Sequence, residues 1–152
     1  MKILNVIGEL GYGGAELLTI ELGKRFVSNG DSVMLLISGY CTKSVADKAT
    51  KSGLELRYLN SNSFSLKNII QISRIIRQNN FDIIHAHLFP AFYLIALCSL
   101  WSNHNIKFIY TEHSTSNRRR RYKFFKLIER PIYSAFHKIF YETQNIWDAQ
   151  LI

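Results

Sequence analysis

With 152 residues, 47% of them hydrophobic and 20% charged, the chain has the apolar content of one folded domain, which excludes an intrinsically disordered protein. Its net charge of +8 is uneven: Arg118 to Arg130 holds seven basic residues against one acid, Glu129, and so supplies +6 of the total. The remainder is nearly neutral, which excludes a polycation and leaves one basic patch.

From the N-terminus, Lys2 to Ile7 is a short apolar run that reads as a strand, with no secretory leader pattern. Gly8 to Gly14 is a glycine-rich loop, and Ala15 opens a helix expected to reach Asn29. Ala15, Leu18, Leu22 and Phe26 fall on its expected inner face, and Gly30 stands at the position that closes a helix. Ser32 to Ile37 reads as a buried strand, Thr42 to Lys51 as a weak helix and Leu54 to Leu59 as a strand. Ser65 is placed to cap a helix running to about Gln78, with Ile69, Ile72 and Ile76 inward. Asp82 to Ala86 is the next strand. Pro90 to Trp101 is the next helix, in a stretch too short for a membrane span. Ile106 to Tyr110 is a strand, followed by a polar loop from Thr111 to Asn117 and a long segment from Arg118 to Phe136. Lys138 to Tyr141 is a sixth strand, and Ile146 to Ile152 begins a last helix. The two cysteines, Cys41 and Cys98, lack metal-ligand spacing and suit a reducing cytosol.

This alternation predicts an α/β fold, a doubly wound, mostly parallel sheet with helices on both faces. Ligands in such sheets gather beyond the C-terminal strand ends. The glycine loop, the His85–Pro90 segment and the Thr111–Asn117 loop all follow strands and are expected to share that edge.

The glycine loop presents backbone N–H groups and the positive end of a helix dipole to an anion, most often a phosphate. Gly13 and Gly14 let a ligand approach the backbone. A dinucleotide site is disfavoured, because Glu16 stands where the third fingerprint glycine belongs and the second strand ends in Ile37-Ser38-Gly39 without an acid. No Gly-Lys-Ser/Thr follows, so a P-loop fails too. The alternative is a tight turn that only packs the helix, with Glu16 suiting the dipole or binding a sugar hydroxyl.

His85 and His87, two residues apart on an extended chain, point the same way. A metal reading would recruit His113 and Glu112, but no cluster of acids supports it, and no metal is expected. Otherwise His85 is satisfied by backbone groups, and His87 faces the cleft to bond a polar substrate. Thr111-Glu112-His113-Ser114 is either a local site, with His113 as hydrogen-bonding or acid/base group, or a plain surface loop. Arg118, Arg119, Arg120 and Arg121 oppose the dipole of the helix they would open. With Lys123, Lys126 and neighbouring Tyr122, Phe124 and Phe125 they point to anionic lipid. Nucleic acid ranks behind lipid, and a solvated charge run is the plain alternative.

Together, Gly13-Gly14-Ala15-Glu16, Phe81-Asp82-Ile83-Ile84-His85-Ala86-His87 and Thr111-Glu112-His113 resemble the N-terminal domain of GT-B glycosyltransferases of the retaining family 4 group. The resemblance spans residues 1–152 and implies a Rossmann-like domain. It implies transfer of a sugar from a nucleotide-sugar to a glycan or lipid-linked acceptor, with retained configuration and no cofactor, in cell-envelope polysaccharide synthesis. Gly13 and Gly14 would close over the donor diphosphate, His113 would lie near the transferred sugar as the catalytic residue, and Glu16, His87 and Glu112 would contact acceptor or sugar. The family's C-terminal, donor-binding domain has no counterpart in the chain. The implied partner is that domain or a separate polypeptide, and transfer by the chain alone is not expected. The implied place is the cytoplasm, peripheral on the inner membrane face. A non-catalytic membrane-associated module, a truncated relic and half of a nucleotide-sugar epimerase are the alternatives.

Overall fold

The expected alternation closes into one six-stranded sheet. The computed structural model describes residues 1–59, 65–103, 105–113 and 130–141. In chain order the elements are β1 (Lys2–Ile7), α1 (Gly14–Ser28), β2 (Ser32–Ile37), α2 (Lys43–Lys51), β3 (Glu55–Tyr58), α3 (Leu66–Asn79), β4 (Ile83–His87), α4 (Ala91–Ser99), β5 (Lys107–Glu112) and β6 (Lys138–Tyr141). The strand order is β3-β2-β1-β4-β5-β6, and every pairing is parallel. The chain builds outward from β1 to β3, then crosses to the other side of β1 and continues with β4. The order therefore reverses between β1 and β4, the place where doubly wound sheets open a crevice at their C-terminal ends.

Strand alternation divides the core into two layers. Ile3, Ile7, Val33, Leu35 and Ile37 pack with Ile20 of α1 and with Val45 and Ala49 of α2. Leu4, Val6, Met34, Leu36, Ile84 and Ala86 face the other way, onto Ile72 and Ile76 of α3 and Phe92 and Ile95 of α4. Continuous apolar strands belong to such a sheet because both of its faces are covered.

Local signals set the element ends. Ser65 caps α3, its side chain accepting from the Lys67 backbone N–H at 3.2 Å. After α1, Gly30 takes φ +85°, its N–H bonds the Val27 carbonyl, and the Asp31 N–H reaches back to Phe26. That paired closure needs a left-handed residue, which is why a glycine follows the helix.

The buried stripe of α1 differs from the expected one. Thr19, Ile20 and Gly23 are buried, whereas Leu18 is 41% exposed. Apolar residues occupy several sides of this helix, so periodicity alone does not choose the inner one. Gly23 does: the Leu54 side chain fills the space where a Cβ would sit, 2.8 Å from it. Of the segment expected from Arg118 to Phe136, residues 130–133 are helical and Phe136 is buried in the α3/α4 layer. The part from Arg118 to Glu129, and the last helix expected from Ile146, lie outside the described residues. Among the described residues, no helix is long and apolar enough to cross a bilayer.

Candidate functional site

Polar side chains enter the sheet where the strand order reverses. The glycine loop leaves β1 at Gly8, which packs so closely on the next connection that a Cβ would lie 2.7 Å from Pro90 Cδ and 3.2 Å from the Phe89 carbonyl oxygen. Buried Leu10 anchors the loop to the segment after β2: its N–H bonds the Tyr40 carbonyl, and its carbonyl accepts from Thr42. Tyr12 bonds Ser44 through their hydroxyls. The tip is left open, with Tyr12, Gly13 and Gly14 exposed at the N-terminus of α1. Gly13 is the capping residue, in extended conformation and with no side chain to close the helix end. The Glu16 carboxylate folds back into the position that a Cβ on Gly13 would take. An acid in the first turn is the charge that the dipole favours there.

Beside this loop stand three histidines. His85 and His87 project from β4 to the same side, as a period of two requires, with ring centroids 3.9 Å apart. His113 is the first residue after β5, and its ring stacks on His87 with centroids 5.6 Å apart. His85 Nε2 lies 2.7 Å from Thr111 Oγ1, so a side chain and not the backbone satisfies it. His87 was expected to face the cleft. It is 1% exposed, held between Asn5 Oδ1, 3.3 Å from its Nε2, and His113 Nε2, 3.3 Å from its Nδ1. Burial, reinforced by the neighbouring His113, pushes His85 down to about 4. Burial first, then His85 and His113, holds His87 well below the ordinary 6.5. Both rings are therefore neutral at neutral pH.

The polar run after the fifth strand divides between the two faces of the sheet. Thr111 and His113 join the histidine group, while Glu112 turns to the opposite face and accepts a hydrogen bond from the Tyr110 hydroxyl at 2.9 Å. Glu112 is 5% exposed and His113 half-buried. Gly13, Gly14 and Glu16 thus cluster at the loop, and His87 and His113 at the adjacent strand ends, with Glu112 behind them. Among the described residues, no group of three or more His, Cys, Asp or Glu is arranged to hold a metal ion. Arg118, Arg119, Arg120, Arg121, Lys123 and Lys126 lie outside the described residues.

Sequence reasoning missed Asn5. It is fully buried, and its Nδ2 has no hydrogen-bond partner among the described residues. The available signal was one amide inside the apolar run Lys2-Ile3-Leu4-Asn5-Val6-Ile7.

The sequence pattern of Glycosyltransferase Family 4 matches residues 12–146. No curated protein matches the chain. Among solved structures, a glycosyltransferase from Rickettsia africae ESF-5 is 27% identical, with a TM-score of 0.64 over 84% of this chain and 32% of its own. Anabaena HepE, solved in complex with UDP and glucose, is 16% identical, with a TM-score of 0.63 over 85% of this chain and 34% of its own. A Listeria monocytogenes protein assigned as a UDP-N-acetylglucosamine 2-epimerase is 11% identical, with a TM-score of 0.65 over 95% of this chain and 39% of its own. The last two likenesses are of fold alone. The chain spans about a third of the length of the solved structures it matches. It belongs to Glycosyltransferase Family 4.

Proposed function

We propose, from that membership, that the chain is the acceptor-binding half of a retaining glycosyltransferase. A nucleotide-sugar is the donor, and a glycan or lipid-linked hydroxyl of the cell envelope replaces the nucleoside diphosphate at the anomeric carbon. The observation that carries the reading is the exposed Gly13–Gly14 tip of α1, which follows β1 at the reversal of strand order, on the same C-terminal edge of the sheet where His113 follows β5. An uncapped helix N-terminus with backbone N–H groups directed outward suits a diphosphate. In this reading Gly13 and Gly14 face the donor phosphates, Glu16 takes a sugar hydroxyl and His113 stands beside the transferred sugar. His87 and Glu112 support the site from within the protein. A donor-binding domain supplies the opposite wall, since transfer requires donor and acceptor to be held together. The Arg118–Lys126 segment holds the protein on the inner face of an anionic membrane.

The test is complementation. The chain alone is expected to show negligible transfer from UDP-glucose or UDP-N-acetylglucosamine, and transfer is expected when the donor-binding domain of a close relative is added or fused. Tight binding of either nucleotide-sugar to the isolated chain in calorimetry would sink the division of labour. Half of an epimerase of the same two-domain architecture is the second reading, and epimerase assay of the same complemented protein separates the two. A purely membrane-bound module is the third. Co-sedimentation with anionic liposomes that survives changing Arg118 to Arg121 to Ser would remove the basic segment as membrane anchor from all of these readings.

A further inference from the structure

We propose that Asn5 and His87 are positioning residues that hold His113 in one tautomer, with the proton on Nε2 and the lone pair on Nδ1. The proposal rests on the reading of His113 as the group beside the transferred sugar.

The hydrogen-bond order follows from what each atom is able to do. The Asn5 Oδ1 only accepts, and it faces His87 Nε2 at 3.3 Å, so His87 carries its proton on Nε2. A neutral imidazole has one N–H and one lone pair, which leaves His87 Nδ1 as the acceptor. His113 Nε2 faces that lone pair at 3.3 Å and must bring the proton. In a neutral His113, Nδ1 is then the acceptor. The chain of choices starts at Asn5 and ends at the one histidine of the three that is not buried.

Packing makes the choice stick. His87 is confined on one side by the His85 ring, itself tied to Thr111, and on the other by the stacked His113 ring. Asn5 sits in the middle of β1, paired with Leu35 of β2 and His85 of β4, so its backbone is fixed by both neighbours. An apolar residue would fill this place without burying an amide, as Leu4 and Val6 do on the opposite face. The Asn5 Nδ2 group is instead buried with no partner among the described residues. An unpaired buried donor is unfavourable, and the same amide offers its Oδ1 to His87.

The consequence is chemical. With its lone pair at Nδ1, His113 carries a hydrogen-bond acceptor at that atom. With the opposite tautomer it offers a donor there instead. Asn5, buried under the site, thus sets the polarity of the group above it.

The native chain, labelled with nitrogen-15 at histidine, tests this by two-bond proton–nitrogen correlation at neutral pH. His87 and His113 are each expected to show a protonated-type signal at Nε2 and a bare-type signal at Nδ1. In Asn5→Leu the bare-type Nδ1 signal of His113 is expected to shift toward the average of the two tautomers. A native His113 protonated on Nδ1, as an amide turned to donate from Nδ2 would impose, overturns the proposal. So does an unchanged spectrum in folded Asn5→Leu. If that variant does not fold, the native spectrum still decides. The readout needs no donor or acceptor: the expected tautomer in a complemented protein that transfers nothing overturns the functional reading and leaves the positioning role standing.

Discussion

Acidification from about pH 7 to about pH 5 is expected to destabilise this fold by about 2 kcal/mol through His85 alone. In the unfolded chain the imidazole titrates near 6.5, whereas in the fold burial lowers it to about 4. Below 6.5 the unfolded chain binds a proton that the folded chain refuses, so unfolding gains as the pH falls. The contribution is complete above the unfolded value and is lost between 6.5 and about 4. At about pH 5 the unfolded ring is about 97% protonated and the folded one about 10%, and the linkage relation turns that difference into the figure above. His87, lowered by burial in the same direction, adds to the loss with the same sign. Domains of this size are stable by roughly 5–15 kcal/mol in total, so the effect is easily resolved. Urea unfolding followed by circular dichroism at both pH values gives the slope. His85→Gln keeps an amide for Thr111 and removes the titrating ring, so its slope should be shallower by about 2 kcal/mol over the same interval. Equal slopes in the two proteins, or a His85 signal that titrates near 6.5, would refute the reasoning.

Three substitutions probe the frame around the site. Gly8→Ala places a Cβ 2.7 Å from Pro90 Cδ and against the Phe89 carbonyl, and the overpacking is expected to lower stability by about 1–3 kcal/mol in urea unfolding. Ser65→Ala removes the α3 cap and is expected to lower it by about 1 kcal/mol, with a thermal midpoint to match. Gly14→Ala meets nothing within 4 Å, so stability should hold or rise by up to about 1 kcal/mol, while the donor contact proposed for the loop predicts that transfer by the complemented enzyme falls. Unimpaired transfer in Gly14→Ala would argue against a close approach of ligand to the loop.

Much of the fold was legible because its strands are short apolar runs between turn-forming residues. Ser32 to Ile37 and Lys138 to Tyr141 match their predicted ends, and Ser65 caps the helix it was assigned to. The inner face of α1 was not legible, because Leu17, Leu18, Ile20, Leu22, Phe26 and Val27 surround the helix, and periodicity does not mark the side on which Gly23 meets Leu54. In the site, the shared direction of His85 and His87 follows from strand geometry. Their partners do not, because Thr111 is brought by β5 and Asn5 by β1, 82 residues from His87. Only the pairing of β1 with β4 puts that amide beside the histidines. Glu112 is the reverse case. Its Tyr110 partner lies two residues away on the same strand, so period two alone separates it from His113.

The two faces of the central strands carry different duties, and the difference links stability to the site. On the α3/α4 face, Phe92, Tyr110, Tyr133 and Phe136 pack as an aromatic group with ring centroids 4.3–6.3 Å apart, and the even-numbered residues of β5 serve the core as far as Tyr110. On the α1 face, Asn5, His85 and Thr111 occupy positions where an apolar side chain would pack at less cost. These polar groups tolerate burial only while the imidazoles are neutral. Neutrality is also what gives His87 a lone pair to receive the His113 proton. A protonated His87 has two donors and no acceptor, so it is unable to accept from His113 Nε2. Acid that forces a proton onto His87 therefore breaks the relay and adds to the loss of stability that His85 carries. The hydrogen-bond polarity of His113 and the share of the acid tolerance that His87 carries are accordingly expected to fail together, and a variant at His87 that loses one while keeping the other would separate the two roles assigned to that ring.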